Sequence, residues 1–394
     1  MDFQTIAAII FIFLMFIFLI LKKKKITIQK IMFPVVYFAL YRTKLGIKFM
    51  DKFAKRFPKA LKALSYISIS IGFIGMILII FSLTHNLYKL LVIPTATAAV
   101  VPVLPFKLKG AFFVPFFYWI ISIFIIAIVH EFSHGIFARL YNLRIKSSGF
   151  AFLAVLLPVL PAAFVEPDEK QLKKAPLKQQ LGIYAAGPFS NILLAFVVLA
   201  ISLLIIPPIT NALVNYNGVE ITGFITINDT QYPAELAGIQ EGDIITSINQ
   251  VPTDTIQDFT SFMESTSPGE TAVLQTDTKA YVINLAQHPE DSDKSYLGVY
   301  VSQSSEIKPV LKQKFMFIPD VILWFLGLLY WLYLLNLGIG LFNLVPIGPI
   351  DGGRMLKAVL EKKLPKNKAE KTFKFISGLF LLLVLVNLAF AFIR

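Results

Sequence analysis

The sequence contains no cysteine, few charged residues and only four histidines. Without cysteine the chain cannot form disulfides, and no thiolate is present to bind a metal or to act as a nucleophile. Any metal site must therefore be made by histidine and carboxylate side chains.

Charged residues make up 15% of the chain and hydrophobic residues 56%, and the mean hydropathy is +0.70. Soluble domains carry about 25% charged residues, so this composition predicts a polytopic α-helical membrane protein in the cell membrane. Crossing the hydrocarbon core takes about 20 apolar residues in a helix. About six such stretches are present, at residues 3–21, 66–92, 112–140, 181–207, 316–342 and 373–393.

The positive charge is concentrated in a few segments. The net charge is +13, and most of the excess lies between Lys22 and Lys62, with further basic segments at 139–178 and 354–374. Cytoplasmic loops collect such charge, so alternating spans place both termini outside the cytoplasm. Lysines follow the first apolar stretch and none precedes it, which indicates a retained anchor rather than a signal peptide. Since topology accounts for the charge, no nucleic-acid partner is expected.

Four segments follow from this topology. Residues 1–65 form an N-terminal anchor with a basic cytoplasmic segment, and residues 66–207 form the first part of a membrane core. Residues 208–312 form an extracytoplasmic α+β domain, and residues 313–394 form the second part of the membrane core.

The extracytoplasmic domain is indicated by alternating apolar residues over 219–227 and by turn signals at Asn228–Asp229 and Pro268–Gly269. Residues 147–165 are apolar but interrupted by glycine and prolines. Irregular backbone at membrane depth is tolerated where it lines a wet cavity, so a re-entrant loop or short hairpin is expected there.

The stretch from His130 to His134 reads His-Glu-Phe-Ser-His and lies within the third apolar stretch. Residues four apart share a helix face, so both imidazoles can bind one cation. Glu131 beside them can take a proton from water and pass it to a leaving amine. At about 1.5 Å per residue, His130 lies roughly 13 Å inside the boundary marked by Arg139, a depth at which ionisable side chains are costly and usually functional.

A catalytic zinc usually has three protein ligands. The other two histidines, His85 and His288, are excluded by topology, so the third ligand must be a carboxylate in the membrane. The fifth span ends at a segment rich in proline and glycine that carries Asp351. Taken alone, this aspartate is also compatible with a helix end and a capping residue, but the histidine pair at matching depth favours a ligand.

Three motifs together resemble the site-2 protease family of intramembrane zinc metalloproteases. These are the zinc motif at 130–134, the element Ala-Gly-Pro-Phe-Ser-Asn at 186–191, and the motif Asn-x-x-Pro-x-x-Pro-x-Asp-Gly at 343–352. The resemblance implies that zinc is bound by His130, His134 and Asp351, with Glu131 as the general base. It also implies that Asn191 and Asn343 hydrogen-bond the substrate backbone or the oxyanion. Ile350 stands where the family often has leucine, which keeps the position apolar.

Residues 233–249 resemble the core signature of PDZ domains, which bind a chain end by adding it to a sheet edge. The family resemblance implies that such a domain, binding a peptide C-terminus, screens substrates already trimmed outside the membrane. Its alternative is a rigid cap that binds no peptide.

The expected function is hydrolysis of peptide bonds within transmembrane segments of single-span membrane proteins, in regulated intramembrane proteolysis after a first extracytoplasmic cut. Three alternatives remain. A second class of membrane zinc protease uses a distal glutamate as its third ligand; a metal transporter would spread polar residues along its spans; and an inactive scaffold would not need Glu131.

Overall fold

The structure is a computed structural model that describes residues 3–32, 36–93, 96–155, 157–225, 231–289 and 291–393. The Asn228–Asp229 turn that the sequence pattern predicts lies outside the described residues. The helices are α1 Phe3–Leu21, α2 Ile47–Arg56, α3 Pro58–Val92, α4 Phe116–Leu140, α5 Glu169–Lys174, α6 Leu177–Leu213, α7 Pro233–Leu236, α8 Ile256–Ser265, α9 Pro309–Phe315, α10 Ile318–Phe342, α11 Asp351–Lys363 and α12 Lys366–Ile393.

Most strands belong to two sheets, one in each compact unit of the chain. They are β1 Ile26–Met32, β2 Val36–Thr43, β3 Val103–Leu104, β4 Phe112–Phe113, β5 Ile145–Val155, β6 Leu157–Pro167, β7 Val214–Phe224, β8 Ile244–Ile248, β9 Val251–Pro252, β10 Thr271–Thr276, β11 Ala280–Asn284, β12 Ala286–His288, β13 Asp291–Tyr296 and β14 Val299–Ile307.

Six helices in the described part of the chain are long and apolar enough to cross a membrane: α1, α3, α4, α6, α10 and α12. The polytopic helical architecture predicted from composition is therefore confirmed. Three of these helices extend further than the apolar stretches, because their ends carry polar or basic residues that a hydropathy pattern leaves out. Helix α3, for example, begins at Pro58, a residue whose fixed φ suits the first helical position.

The membrane unit comprises residues 1–202 and 326–394. It contains an antiparallel sheet with strand order β1-β2-β5-β6. The hairpin expected within 147–165 is formed by β5 and β6, which are longer than that interval because each strand has 11 residues. Pairing with β2 extends the hairpin into a sheet, and β6 is left at its edge.

The second unit comprises residues 203–325. Its main sheet has strand order β11-β10-β8-β7-β14, with β9 paired to β8. The expected alternation is present in β7, where Val219 and Ile221 are fully buried while Thr222 is exposed. Helix α8 begins with a capping box between Thr255 and Asp258. The Thr255 hydroxyl and backbone N–H both donate to the Asp258 carboxylate, and these hydrogen bonds hold the pKa of Asp258 below its usual value. The unit is an α+β domain, as its sequence pattern predicts.

Candidate metal centre

Helix α4 presents His130 and His134 on one buried face. The two residues are 9% and 8% exposed, and their Nε2 atoms lie 3.1 Å apart. The spacing of four residues puts one ring above the other in consecutive turns. Both Nε2 atoms therefore point to one place beside the helix.

Asp351 reaches the same place from a distant part of the chain. Helix α10 ends at Phe342, and the chain turns through a loop in which the Gly352 N–H donates to the Asn343 carbonyl oxygen over 2.8 Å. A Cβ on Gly352 would overlap the carbonyl of Leu344, so this close turn requires glycine. Asp351 is the first residue of α11, where the helix dipole favours a negative charge.

The three ligand atoms form a compact triangle. Asp351 Oδ2 lies 3.0 Å from His130 Nε2 and 3.3 Å from His134 Nε2. Tetrahedral zinc with ligands at about 2.0–2.1 Å has ligand-to-ligand edges of about 3.3 Å. The triangle therefore has the donor types and nearly the dimensions of one face of a zinc site.

Helix α6 closes the site with residues spaced four apart. The Ile183 carbonyl oxygen accepts a hydrogen bond from His134 Nδ1 over 2.7 Å, which leaves Nε2 of that ring free to bind a metal. One turn later, a Cβ on Gly187 would lie 2.7 Å from His130 Nε2 and closer still to His134 Nε2. After a further turn, Asn191 Nδ2 lies 3.1 Å from His130 Nδ1. The close approach of α6 to the two imidazole rings therefore requires glycine at position 187.

Glu131 lies beside the triangle but outside it. Its Oε2 accepts a hydrogen bond of 2.9 Å from the N–H of Val165 on β6. The next residue of β6, Glu166, accepts hydrogen bonds from Ser147 Oγ and Arg42 Nε, which hold its pKa below the usual value. The sheet therefore fixes the strand that contacts Glu131.

The structure brings His130, His134 and Asp351 together and places Asn191, which is fully buried, against His130. It places Asn343 differently: its Nδ2 donates to the Ile339 carbonyl oxygen of the preceding helix, α10, over 3.1 Å. Sequence reasoning missed the contacts from Ile183 and Val165, because backbone groups carry no sequence signal. The Gly-Pro pair at 187–188 was the available sign that α6 approaches the site.

Residues 118–385 match the model of peptidase family M50, and this interval includes every residue of the triangle. The chain belongs to that family. The family resemblance inferred from the three motifs is therefore confirmed, and this M50 peptidase is a zinc metalloendopeptidase of the site-2 protease type.

Two relatives share long alignments with this M50 peptidase. The protein MJ0971 of Methanocaldococcus jannaschii is 30% identical over 343 residues, which cover 86% of this chain and 81% of that protein. The zinc metalloprotease RasP of Shouchella clausii is 26% identical over 253 residues, 51% of this chain and 57% of RasP. The alignment with RasP thus spans about half of each protein.

One solved structure is similar to a smaller part of the M50 peptidase. The PDZ domain of the SdrC-like protein from Listeria monocytogenes is 21% identical to it, and the alignment covers 22% of this chain and 88% of that domain with a TM-score of 0.19.

Proposed function

We propose that this M50 peptidase hydrolyses peptide bonds inside the transmembrane segments of single-span membrane proteins, after a first cut outside the membrane. The observation that carries the proposal is the position of the triangle. His130 and His134 are buried in α4, a helix apolar enough to span the bilayer, and His130 precedes Arg139 by nine residues, roughly 13 Å of helix. A peptide bond cut there is a bond within the bilayer.

The residues of the site have separable roles in hydrolysis. His130, His134 and Asp351 would hold zinc, which when bound polarises the scissile carbonyl and makes water more acidic. Glu131 takes a proton from the attacking water as the new C–O bond forms, and gives a proton to the leaving nitrogen as the C–N bond breaks. The hydrogen bond from Val165 holds the Glu131 carboxylate in place during this transfer.

The substrate must lose helical structure before it is cut, because the carbonyl of a helical peptide bond is engaged within the helix. Strand β6 offers a place for such a segment. It is the edge of its sheet and lies next to Glu131 through Val165. We infer that an extended substrate segment adds to this edge, as an added strand does at the open edge of a sheet.

The orientation in the membrane follows from charge. We propose that the basic segments face the cytoplasm, and that the termini and the 208–312 domain lie outside it. In the same proposal the PDZ-like domain binds the new C-terminus of a trimmed substrate at a sheet edge.

The topology is tested by labelling single cysteines, which is possible because the chain has no cysteine of its own. Cysteines introduced at Lys24 and at Ser292 should be labelled from opposite sides of a sealed vesicle. Labelling of both from the same side would contradict this topology.

The function is tested with purified full-length protein and a single-span substrate in detergent. We expect the products, analysed by mass spectrometry, to result from a cut within the apolar segment, and we expect cleavage to increase when a glycine pair replaces leucines next to the cut. Replacing the glycine pair by alanines is the matched control, because alanine favours helix by about 1 kcal/mol per residue relative to glycine. Cuts confined to the flanking polar sequence would contradict intramembrane proteolysis.

The surroundings of Asn191 support a second role for this residue. With Nδ2 toward His130, its Oδ1 is buried without a hydrogen-bond partner among the described residues. A histidine that binds metal through Nε2 carries its proton on Nδ1 and needs an acceptor there. A half-turn of the amide puts Oδ1 in that place. We propose that Asn191 positions the His130 ring as an acceptor, instead of donating to the oxyanion.

Substitution separates the two roles of Asn191. Asn191→Asp keeps an acceptor and loses the donor, whereas Asn191→Leu removes both at similar size. For a positioning residue we expect Asn191→Leu to weaken zinc binding by about 10–100-fold in chelator competition, with Asn191→Asp close to wild type. If both variants bind zinc normally and lose kcat, Asn191 is an oxyanion donor.

A further inference from the structure

A basic cavity lies where α2, the start of α3 and the end of α4 meet. Its volume is about 270 Å³, and its wall includes Lys55, Lys62 and Arg139. Ala54 and Leu140 provide apolar surface in the same cavity. None of these residues belongs to the metal centre.

The positive charge of this cavity is not balanced by the protein. Arg139 forms an ion pair with Asp51, the only acidic residue among the described residues of the wall, and its Nη1 also donates to the Leu143 carbonyl oxygen over 3.1 Å. Within the described ranges, neither Lys55 nor Lys62 takes part in an ion pair. Two cations therefore face one cavity, and an anion would be favourable there.

The surroundings of the cavity indicate a membrane surface. Arg139 is the first cation after the apolar run of α4, and Pro58 starts α3, a second spanning helix. Phe57, which directly precedes the cavity residue Pro58, is 43% exposed, and Phe49, elsewhere on α2, is 54% exposed. Exposed aromatic residues beside basic residues are typical of segments that lie in the headgroup region. An anion at this level is most simply a lipid phosphate.

We propose that this cavity binds the phosphate of an anionic phospholipid headgroup. Lys55 and Lys62 contact the phosphate, the Arg139–Asp51 pair forms a fixed part of the wall, and Ala54 and Leu140 contact the glycerol and the start of the acyl chains. Because α2 and α4 both contribute, a bound lipid would connect α2 to α4, the helix that carries the zinc motif.

The test uses delipidated full-length protein in detergent, titrated with short-chain phosphatidylglycerol or phosphatidylcholine, with retained lipid measured by native mass spectrometry. Lys55→Gln/Lys62→Gln should bind phosphatidylglycerol about 25-fold more weakly, from about fivefold for each cation. Lys48→Gln/Lys59→Gln is the matched control, since it removes the same charge from the same segment outside the cavity. Zinc content and thermal unfolding establish that both variants are folded.

The outcomes distinguish a lipid site from its alternatives. Retention of phosphatidylglycerol over phosphatidylcholine, lost in the cavity variant and kept in the control, supports the proposal. An equal loss in both variants means general surface attraction and overturns it, as does equal binding of the two lipids by the wild type. Competition by inorganic phosphate at the same concentration as the lipid would make the cavity a site for soluble phosphate, which also overturns it.

Discussion

Glu131→Gln should abolish peptide cleavage and leave zinc binding unchanged. The amide cannot take a proton from water, and loss of a general base typically costs 10²–10⁴-fold in rate. Zinc should remain, because Glu131 is outside the triangle of His130, His134 and Asp351. The fold should remain too, since the glutamine oxygen can still accept from the Val165 N–H. The measurements are the initial rate of cleavage of a single-span substrate and bound zinc in the same sample.

Glu166→Gln is the control for this prediction. It makes the same chemical change on β6, next to the strand residue that contacts Glu131. Its hydrogen bonds run to Ser147 and Arg42 and not to the metal centre. We expect its cleavage rate to stay within a few-fold of wild type. A Glu131→Gln protein that cuts normally would remove Glu131 from the mechanism, and one that loses zinc would make it a ligand.

The sequence was sufficient to predict the spanning helices and the three residues that meet in the triangle, for a simple physical reason. Spanning helices need long apolar runs, and a charged or polar group inside one is conspicuous against them. His130 and His134 stand out in this way, and the Pro-Gly segment around Asp351 indicates that the chain leaves helical geometry there. The structure brings these three residues within 3.0–3.3 Å of one another.

The sheet of the membrane unit could not be predicted in the same way. Strands β1 and β2 come from a segment with mixed apolar and basic residues, and the pairing of β2 with β5 joins positions more than a hundred residues apart in sequence. Such pairing depends on long-range contacts, which short windows of sequence do not contain. As a result the hairpin was expected, whereas its extension into a sheet, and with it the contact from Val165 to Glu131, was not.

Gly187→Ala should remove zinc from the protein although it changes no ligand. The added methyl group would lie 2.7 Å from His130 Nε2 and closer to His134 Nε2, which is shorter than carbon and nitrogen can approach without a shift. Overpacking alone costs about 1–3 kcal/mol, and here the displaced atoms are the ligand atoms themselves. We expect zinc affinity to fall by about 100-fold or more, measured by chelator competition.

Gly338→Ala is the matched control for Gly187→Ala, because it adds the same methyl group to a spanning helix at a position with no atom within 4 Å. It should bind zinc and cut substrate as the wild type does, and as a glycine replaced within a helix it should be slightly more stable. Normal zinc binding by Gly187→Ala would mean that α6 can move back from α4 without disturbing the two rings. The contacts of His134 with Ile183 and of His130 with Asn191 argue against such freedom, since both hydrogen bonds come from the same face of α6 and would lengthen together.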